Sequence, residues 1–561
     1  MNRFYLTAGM LSLLPGLQAA AQSQQAQRPN IIYIMSDDHA YQAISAYGSE
    51  VSKLAPTPNI DRIAKAGVTF DRAFVENSLS TPSRACTLTG LYSHQNGQEQ
   101  LNEGMDPTKP FVSELLQKCG YQTAVIGKWH VPCDPKGFDY YHIYNGQGEY
   151  YNPNFRGSDT GGKYVQEHGY CVDLVDKHAK EFLDNRDKSK PFFLMVHFKA
   201  PHRNQMPNLK YLGLFDDVKF PLPTTFWDDY STRQSPAHTQ KMSITNHMEL
   251  IQDLKVVQMK DSLKDAYNQG FSWFCYRAGV ERMTPDQRAA WNRYYMPRGE
   301  EFLNAHLTGR ALSEWKYQAY MRDYLACVRS IDDAVGDILD YLKANGLDEN
   351  TVVIYTSDQG FYLGEHNWFD KRFMYEQSLR TPLLMAWKGH INPGTRCNAM
   401  VQNIDYAPTF LSLAGGKKTD EMSGLDLQQV WNGQTPKTWR TSIYYHYYDY
   451  PAFHQVRRHD GVRTDRYKLI SFYGKGGTRA ETNWYQTDPK AQEYRILHWL
   501  RSMNYTDDND PDLKDCYELY DLQNDPDELH NIYGQPGTEK ITNDLMKLLN
   551  KYRKDLKVQE Y

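Results

Sequence analysis

The sequence IIYIMSDDH, residues 31–39, decides the fold class of this chain. Five consecutive apolar residues are typical of a strand buried on both faces of a parallel sheet, and here polar residues follow at once. The pattern returns at residues 123–126, 192–198 and 351–355. Apolar residues at a spacing of three to four predict a long helix over residues 311–347. This βαβα order favours an α/β fold, with a predominantly parallel sheet flanked by helices.

The ends of these four runs indicate where a functional site lies. Open α/β sheets place their sites beyond the carboxyl ends of their strands. The polar residues that follow the runs are Asp37, Asp38 and His39, then Lys128 and His130, then Lys199 and His202, and last Asp358 and Gln359. We therefore expect the four runs to deliver these side chains to one crevice.

The bulk composition excludes several classes of function. The chain has 561 residues, with 63 Lys and Arg against 68 Asp and Glu, and a formal net charge of −5. Domains that bind nucleic acid are usually basic, so we expect no nucleic-acid partner. The charge balance gives no indication of an anionic substrate either. An aromatic content of 13%, with 42 tyrosines, excludes a disordered chain.

Regional patterns predict three segments. Residues 1–21 combine an early cation, a Leu- and Ala-rich run and an Ala-x-Ala site, which predicts a secretory signal peptide. No later run is long and apolar enough to span a membrane, so we expect a periplasmic or secreted protein. Residues 22–436 form the main α/β domain, with an irregular insertion at about 203–310. Residues 437–561 form a smaller C-terminal α+β subdomain, and the pairing of eight scattered cysteines stays open.

The segment STPSRACTLTG, residues 80–90, carries the most specific signal. Taken alone, Ser80 would be a helix cap or a loop hydroxyl, since no histidine lies near it in sequence to activate it. The segment resembles the signature of the formylglycine-dependent sulfatases of the alkaline-phosphatase superfamily, Cys/Ser-x-Pro-Ser-Arg followed by Thr-Gly. The resemblance extends over nearly the whole mature chain. It implies an alkaline-phosphatase-like fold and hydrolysis of sulfate esters, with residues 22–436 as the catalytic domain.

The resemblance also implies that Ser80 is oxidised to formylglycine (3-oxoalanine) by a formylglycine-generating maturation enzyme. One hydroxyl of the hydrated aldehyde would attack sulfur to give a sulfoenzyme intermediate. The other would then expel the bound sulfate, so that one difficult step becomes two easier ones. Cys86 is not the modified residue in this register, since it lies six positions later, in the helix that Thr89 and Gly90 help to end.

Oxygen ligands for a metal ion follow the first and fourth apolar runs, at Asp37, Asp38, Asp358 and Gln359. An all-oxygen set suits a hard cation, Ca²⁺ before Mg²⁺, and not zinc. The resembling family places its calcium on positions that match these four, and Ser80 is a further expected ligand. Gln359 departs from many members of the family, which carry Asn or His there.

Basic residues match basic positions of the family at Arg84, Lys128, His130, His202 and Lys371. Negative charge builds up on the bridging oxygen as a sulfate ester breaks, so fixed cations and a proton donor there stabilise the transition state. By the resemblance, His202 or Lys371 protonates the leaving alcohol, and His130 takes a proton from the second hydroxyl. Arg84 and Lys128 hold the formylglycine and the sulfate.

Substrate contacts are expected around Lys371. Asp370 and Arg372 flank it, and in an extended segment they would point to the opposite face, where their charges suit sugar hydroxyls. His459 would reach the site from the C-terminal subdomain. The whole pattern resembles bacterial carbohydrate sulfatases that remove the 6-O-sulfate of N-acetylglucosamine, which implies a sulfated glycan substrate from glycosaminoglycan or mucin.

Two tyrosine-rich segments, residues 146–151 and 444–448, allow two interpretations. Their rings would either stack on the faces of sugar rings or pack in the core. We expect aromatic platforms beside the crevice if the first interpretation holds.

Three other functions stay open at this point. The substrate is alternatively a sulfated galactose or N-acetylgalactosamine. A phosphodiesterase of the same superfamily would use the same nucleophile. An unmodified Ser80 would leave a sulfoglycan-binding protein without turnover.

Overall fold

The computed structural model describes residues 28–101, 104–260, 269–450, 452–473 and 514–559. The predicted signal peptide, residues 1–21, lies outside these ranges and stays a prediction. All eight cysteines lie within the described residues, and each of them is unpaired. No helix of the described ranges is both long enough and apolar enough to cross a membrane.

The strands are numbered here in chain order. They are β1 (Asn30–Ser36), β2 (Val68–Phe70), β3 (Ala73–Phe74), β4 (Gln122–Gly127), β5 (Tyr140–Tyr144), β6 (Asn154–Gly157), β7 (Val165–Gln166), β8 (Phe192–His197), β9 (Thr351–Ser357), β10 (Tyr362–Leu363), β11 (Phe369–Asp370), β12 (Leu383–Ala386), β13 (Thr395–Cys397), β14 (Val401–Gln402), β15 (Ser442–Tyr447), β16 (His459–Thr464), β17 (Tyr467–Phe472) and β18 (Cys516–Asp521). A ten-stranded sheet has the order β13-β2-β12-β9-β1-β8-β4-β5-β6-β7.

Four neighbouring strands, β9, β1, β8 and β4, form the centre of this sheet and run parallel to one another. They are the four apolar runs of the sequence, so the predicted strands and the predominantly parallel α/β sheet are confirmed. In register, Ser36 lies beside Ser357 and Gly127 lies beside His197. The carboxyl ends of all four strands therefore meet at one edge of the sheet.

Strand β1 is buried on both faces, which explains why its apolar run is uninterrupted. Ile32 and Ile34 belong to the hydrophobic cluster on one side of the sheet, and Ile31, Tyr33 and Met35 belong to the cluster on the other side. Successive side chains of a strand point to opposite faces, so both faces need apolar residues here. All five side chains are at most 1% exposed. Burial of each aliphatic one stabilises the fold by roughly 1.5–3 kcal/mol.

Helices cover the sheet and connect its strands. In chain order they are α1 (Glu50–Leu54), α2 (Ile60–Ala66), α3 (Ser80–Thr89), α4 (Ser93–Asn96), α5 (Val112–Lys118), α6 (Cys171–Asn185), α7 (Ser235–Thr239), α8 (Gln269–Val280), α9 (Pro285–Ala305), α10 (Gly309–Ala344), α11 (Glu376–Leu379), α12 (Tyr406–Leu413), α13 (Ala452–Gln455) and α14 (Glu539–Asp555). The long helix predicted over residues 311–347 is confirmed as α10. Within its described residues, the stretch proposed as an insertion, residues 203–310, holds α7, α8 and α9, and its domain bounds stay a prediction.

The C-terminal part forms an antiparallel sheet in the order β15-β16-β17-β18. Leu545 and Leu549 of α14 pack against this sheet, in a hydrophobic cluster that also holds Leu469 of β17 and Cys86 of α3. The predicted α+β subdomain is therefore confirmed, and it packs directly on the helix that begins at Ser80.

We expect Gly127, the last residue of β4, to be indispensable for positioning Lys128. Its φ of +97° is a left-handed conformation, and a Cβ there would lie 2.0 Å from the carbonyl oxygen of His197. Gly346 has a similar φ of +63° but open space around it. Gly346→Ala should therefore cost about 1–2 kcal/mol from the backbone conformation alone.

Gly127→Ala should cost roughly 1–3 kcal/mol more than Gly346→Ala, because it adds overpacking to the same backbone penalty. Urea unfolding of the two variants measures the difference. Equal losses of stability would show that the close approach of β4 and β8 adds nothing to the cost of a side chain at position 127.

Candidate active site

The carboxyl ends of the four central strands bring the expected side chains together. Asp37 and Asp38 follow β1, Lys128 follows β4, and Asp358 follows β9. All four side chains are at most 1% exposed. Asp38 has a φ of +64°, a left-handed conformation that turns the chain, so that two adjacent carboxylates serve the same cluster. The side chains that follow these three strands therefore meet in one buried cluster.

Ser80 is the first residue of α3 and does not cap it, because the cap position is Leu79. Its hydroxyl donates instead to Asp37 Oδ1, at 3.1 Å. Arg84 lies one turn further along the same helix, so both side chains share one helix face. The helix ends after Thr89 at Gly90, whose φ is +68°, as the sequence predicts.

Three buried carboxylates crowd together beside Ser80. The backbone N–H of Asp38 donates to Asp358 Oδ1 at 3.1 Å, and the charge of Asp37 acts on both residues. Burial raises the pKa of Asp38 to about 7, with the neighbouring carboxylates adding to the shift and Lys371 opposing it. Burial and Asp37 likewise raise the pKa of Asp358. Such crowding disfavours the charged forms unless cations offset it.

Three cations contact these carboxylates. A guanidinium nitrogen of Arg84 lies 3.0 Å from Asp358 Oδ2 and 3.7 Å from Asp37 Oδ1. Lys128 Nζ donates to Asp37 Oδ2, and Lys371 Nζ donates to Asp38 Oδ1 at 2.6 Å. Burial alone would raise the pKa of Asp37, but the cations around it, led by Lys128, hold it well below its usual value. Each carboxylate of the cluster therefore has a cationic partner.

Two histidines border the cluster. His202 Nε2 lies 3.8 Å from Asp38 Oδ2, and His130 Nδ1 lies 3.4 Å from the hydroxyl of Thr81, the residue after Ser80. Burial lowers the pKa of both rings well below the usual value, and Lys128 lowers it further. These shifts favour the neutral form of both rings.

The residues expected to hold calcium fit a hard cation. Asp38 Oδ2 and Gln359 Oε1 are buried and have no hydrogen-bond partner within the described part of the chain. Gln359 Nε2 donates to Asp38 Oδ1, and to Asp358 Oδ1 at 2.8 Å. The two ends of an amide have nearly the same shape, so a turn of this amide would aim its oxygen where its nitrogen now lies. Three carboxylates and an amide oxygen form the ligand set that Ca²⁺ prefers.

The segment around Lys371 is not extended, in contrast to the expectation. Asp370 and Arg372 have φ values of +78° and +102°, which the extended conformation does not allow. Their side chains contact each other, with Arg372 Nε 3.2 Å from Asp370 Oδ1. His454 Nε2 lies 3.2 Å from Asp370 Oδ2. The two residues therefore form a charged pair beside the cluster, and their contact with a substrate stays a prediction.

His459 occupies a supporting position. Its Nδ1 lies 2.7 Å from the carbonyl oxygen of Arg457, and its Nε2 accepts the backbone N–H of Met374 at 3.1 Å. The ring is fully buried and packs on Phe373, which follows the Lys371 segment. Because both ring nitrogens bind main chain, this geometry holds the segment in place, and direct contact with a substrate stays a prediction.

The tyrosine-rich segments do not provide sugar platforms. Tyr150 and Tyr151 are 2% exposed, and Tyr444, Tyr445 and Tyr447 are fully buried. The interpretation that they stack on sugar faces is therefore wrong, and core packing is what the structure has. Two of them hold the main chain of candidate site residues in place. Tyr150 donates a hydrogen bond to the carbonyl oxygen of His202, and Tyr445 donates one to the carbonyl oxygen of Arg372.

Sequence reasoning missed two residues of the site, Gln147 and His454, and gave a third, Lys199, no role. Gln147 Oε1 accepts a hydrogen bond from Lys128 Nζ. Lys199 is 5% exposed, and burial lowers its pKa while Asp37 acts in the opposite sense. His454 pairs with Asp370. The sequence places Lys199 at the crevice because it follows directly after an apolar run, whereas no local pattern singles out Gln147 or His454.

Comparison with known proteins gives the family of the chain. The family model described as Sulfatase matches residues 29–416. A second one, described as N-sulphoglucosamine sulphohydrolase, C-terminal, matches residues 364–498 and 491–555.

Individual relatives agree with this match. An N-acetylglucosamine-6-O-sulfatase of Bacteroides thetaiotaomicron is 42% identical over 544 residues, which cover 96% of this chain and 88% of the relative. Human N-acetylglucosamine-6-sulfatase is 24% identical over 550 residues, covering 90% of this chain and 81% of the relative. The solved structure of BT4656 in complex with its substrate D-glucosamine-2-N,6-O-disulfate matches with a TM-score of 0.83 at 42% identity, covering 95% and 99% of the two chains. The chain therefore belongs to the sulfatase family, and it is a sulfuric ester hydrolase.

Proposed function

We propose that this protein is an exported sulfatase that removes the 6-O-sulfate of N-acetylglucosamine in glycosaminoglycan or mucin glycans. The observation that carries the choice of sugar is the 42% identity, over nearly the whole chain, with an N-acetylglucosamine-6-O-sulfatase. The predicted signal peptide, residues 1–21, supports export to the periplasm or the medium.

Ser80 is the proposed site of the nucleophile, after its oxidation to formylglycine by a maturation enzyme. That group supplies two hydroxyls on one carbon, one to attack sulfur and one to release the sulfate without attack by water on sulfur. The hydrogen bond from Ser80 Oγ to Asp37 Oδ1 supports this role, because it aims the side chain into the carboxylate cluster. Asp37 would orient the attacking oxygen by the same contact.

Calcium is the proposed ion of the carboxylate cluster. Asp37, Asp38, Asp358 and Gln359 would hold it, with the residue at position 80 as a further ligand, and it would draw negative charge off the oxygens bound to it. The unpartnered oxygens of Asp38 and Gln359 support this assignment.

Fixed cations would stabilise the charge that develops on the sulfate. Arg84 and Lys128 reach the cluster on the side of Asp37, next to Ser80, so they would hold the sulfate and the modified side chain. Cations already in place cost no reorganisation when the S–O bond breaks.

Proton transfers would fall to the residues at the border of the cluster. His202 and Lys371 both approach Asp38, so either would protonate the leaving alcohol from that side, Lys371 as its ammonium and His202 once its ring has taken up a proton. His130 lies beside the residue that follows Ser80, where a neutral imidazole would accept the proton of the second hydroxyl.

Recognition of the sugar is assigned to the charged pair of Asp370 and Arg372. They lie on either side of Lys371 in the chain, so a sugar whose sulfate is at the cluster would bring its hydroxyls towards them. His454 would position Asp370 through their ion pair.

One test of the proposed function concerns the modification of Ser80. In protein from the native host, the peptide that contains Ser80 should be lighter by about 2 Da than the unmodified sequence, since oxidation to the aldehyde removes two hydrogens. The same protein should release sulfate from N-acetylglucosamine 6-sulfate, and Ser80→Ala should not.

A substrate panel separates the alternatives. It contains the 6-sulfates of galactose and N-acetylgalactosamine, an aryl sulfate and an aryl phosphodiester. Faster turnover of the phosphodiester, or of a galactose ester, would contradict the proposed substrate. A wholly unmodified Ser80 peptide without turnover would leave only a glycan-binding role.

A further test separates recognition of the sugar from hydrolysis of the sulfate ester. Asp370→Asn removes a charge at nearly constant shape, and loss of a hydrogen bond to a charged group costs about 1.5–3 kcal/mol. The kcat/KM for N-acetylglucosamine 6-sulfate should fall at least about tenfold. The kcat/KM for a small aryl sulfate, which lacks sugar hydroxyls, should change by less than about threefold.

Asp228 offers a matched control, since it also pairs with an arginine and a histidine, Arg233 at 2.6 Å and His366 at 2.8 Å, outside the site. Asp228→Asn should leave the ratio of the two kcat/KM values unchanged. An equal loss on both substrates for Asp370→Asn would assign Asp370 to the chemistry or to the fold instead.

A further inference from the structure

A second group of metal-binding side chains lies outside the active site. It consists of His142 on β5, Glu167 directly after β7 and His178 on α6, and one donor atom of each lies within 4.8 Å of the others. None of the three belongs to the site residues described above. The two imidazole rings are nearly in contact, with centroids 3.9 Å apart.

Both rings direct the same nitrogen at a single carboxylate. His142 Nε2 lies 2.6 Å from Glu167 Oε1, and His178 Nε2 lies 2.7 Å from Glu167 Oε2. The side chains of the histidines are 3% and 8% exposed, and that of Glu167 is 21% exposed. The three donors therefore lie close together in a largely buried group, of which Glu167 is the most exposed member.

The outer nitrogens of the two rings also face carboxylates. His178 Nδ1 lies 2.8 Å from Glu181 Oε2, and His142 Nδ1 lies 3.4 Å from Asp159 Oδ1. A neutral imidazole has a single N–H, so it can donate to only one of its two carboxylates. Neutral rings therefore leave carboxylate oxygens without a donor, whereas charged rings satisfy every hydrogen bond but place two cations nearly in contact.

A metal ion resolves this conflict. With an ion at the centre, both Nε2 atoms and Glu167 contribute lone pairs to it, and each Nδ1–H is free to donate outward to Glu181 or Asp159. This is the usual arrangement around metal-bound histidines, whose second nitrogen donates to a carboxylate that fixes the ring orientation.

We propose that His142, His178 and Glu167 bind a zinc ion, with one ligand position open to water. Two imidazoles and a carboxylate suit zinc, whereas calcium takes six to eight oxygen ligands. Tetrahedral donors around zinc lie about 3.3 Å from one another, so the present spacing needs only small rotations of the side chains. The ion would join β5, the segment after β7 and α6 at the edge of the ten-stranded sheet.

Cobalt tests the proposal, because Co²⁺ enters zinc sites and its visible absorption reports nitrogen and oxygen ligands in a low-coordinate site. The full-length protein, without a histidine tag and with its active site saturated with Ca²⁺, is titrated with Co²⁺ and then with Zn²⁺. We expect an absorption band that saturates at one equivalent and disappears when one equivalent of zinc is added. The band should be absent in His178→Gln and in Glu167→Gln, so the result does not depend on one variant folding.

Two controls define the site. His168→Gln removes an exposed histidine next to Glu167, and Asp358→Asn alters the carboxylate cluster of the active site; both should keep the band. Sulfate release by His178→Gln shows that this variant is folded. The proposal is overturned if wild type binds no cobalt or zinc under these conditions, or if His178→Gln and Glu167→Gln bind both metals as wild type does.

Discussion

The active site depends on the cost of burying three carboxylates together. Asp37, Asp38 and Asp358 are withdrawn from water at the ends of two adjacent strands, where like charges raise one another's energy. A buried charge is tolerated when it is paired and hydrogen-bonded. The surrounding cations are therefore a requirement of the fold as much as of the chemistry.

That requirement explains the unusual backbone around the site. Lys128 reaches Asp37 because Gly127 allows β4 and β8 to approach closely at their carboxyl ends. Lys371 reaches Asp38 from a segment held in left-handed conformations, and such strain persists only where the surroundings fix it. Tyr445 and His459 hold this segment through hydrogen bonds to its main chain.

The net charge of −5 conceals this arrangement. Arg84, Lys128 and Lys371 are far apart in sequence and meet only because the parallel strands end at one edge. Each of them contacts a carboxylate of the cluster. The sulfate recognition proposed for these residues would thus be a local electrostatic property, and composition carries no information about it.

The features that the sequence predicted are those that depend on short-range patterns of residues. The four apolar runs gave the central strands, since strands buried on both faces need continuous apolar residues, and the polar residues after them gave most of the site. The conformation of Asp370 and Arg372 could not be predicted, because it is set by contacts with the C-terminal sheet, including Tyr447. The roles of His459 and His454 and the burial of the tyrosines likewise follow from tertiary packing.

The central claim is that the carboxylate cluster is completed by a calcium ion. A crystal structure of the protein grown with calcium tests it most directly. We predict one ion bound by oxygens of Asp37, Asp38, Asp358 and Gln359 at about 2.3–2.6 Å, with the Gln359 amide turned so that Oε1 faces the ion. A cluster that holds only the lysine and arginine partners, with Gln359 Nε2 still donating to Asp38 and Asp358, would contradict the account.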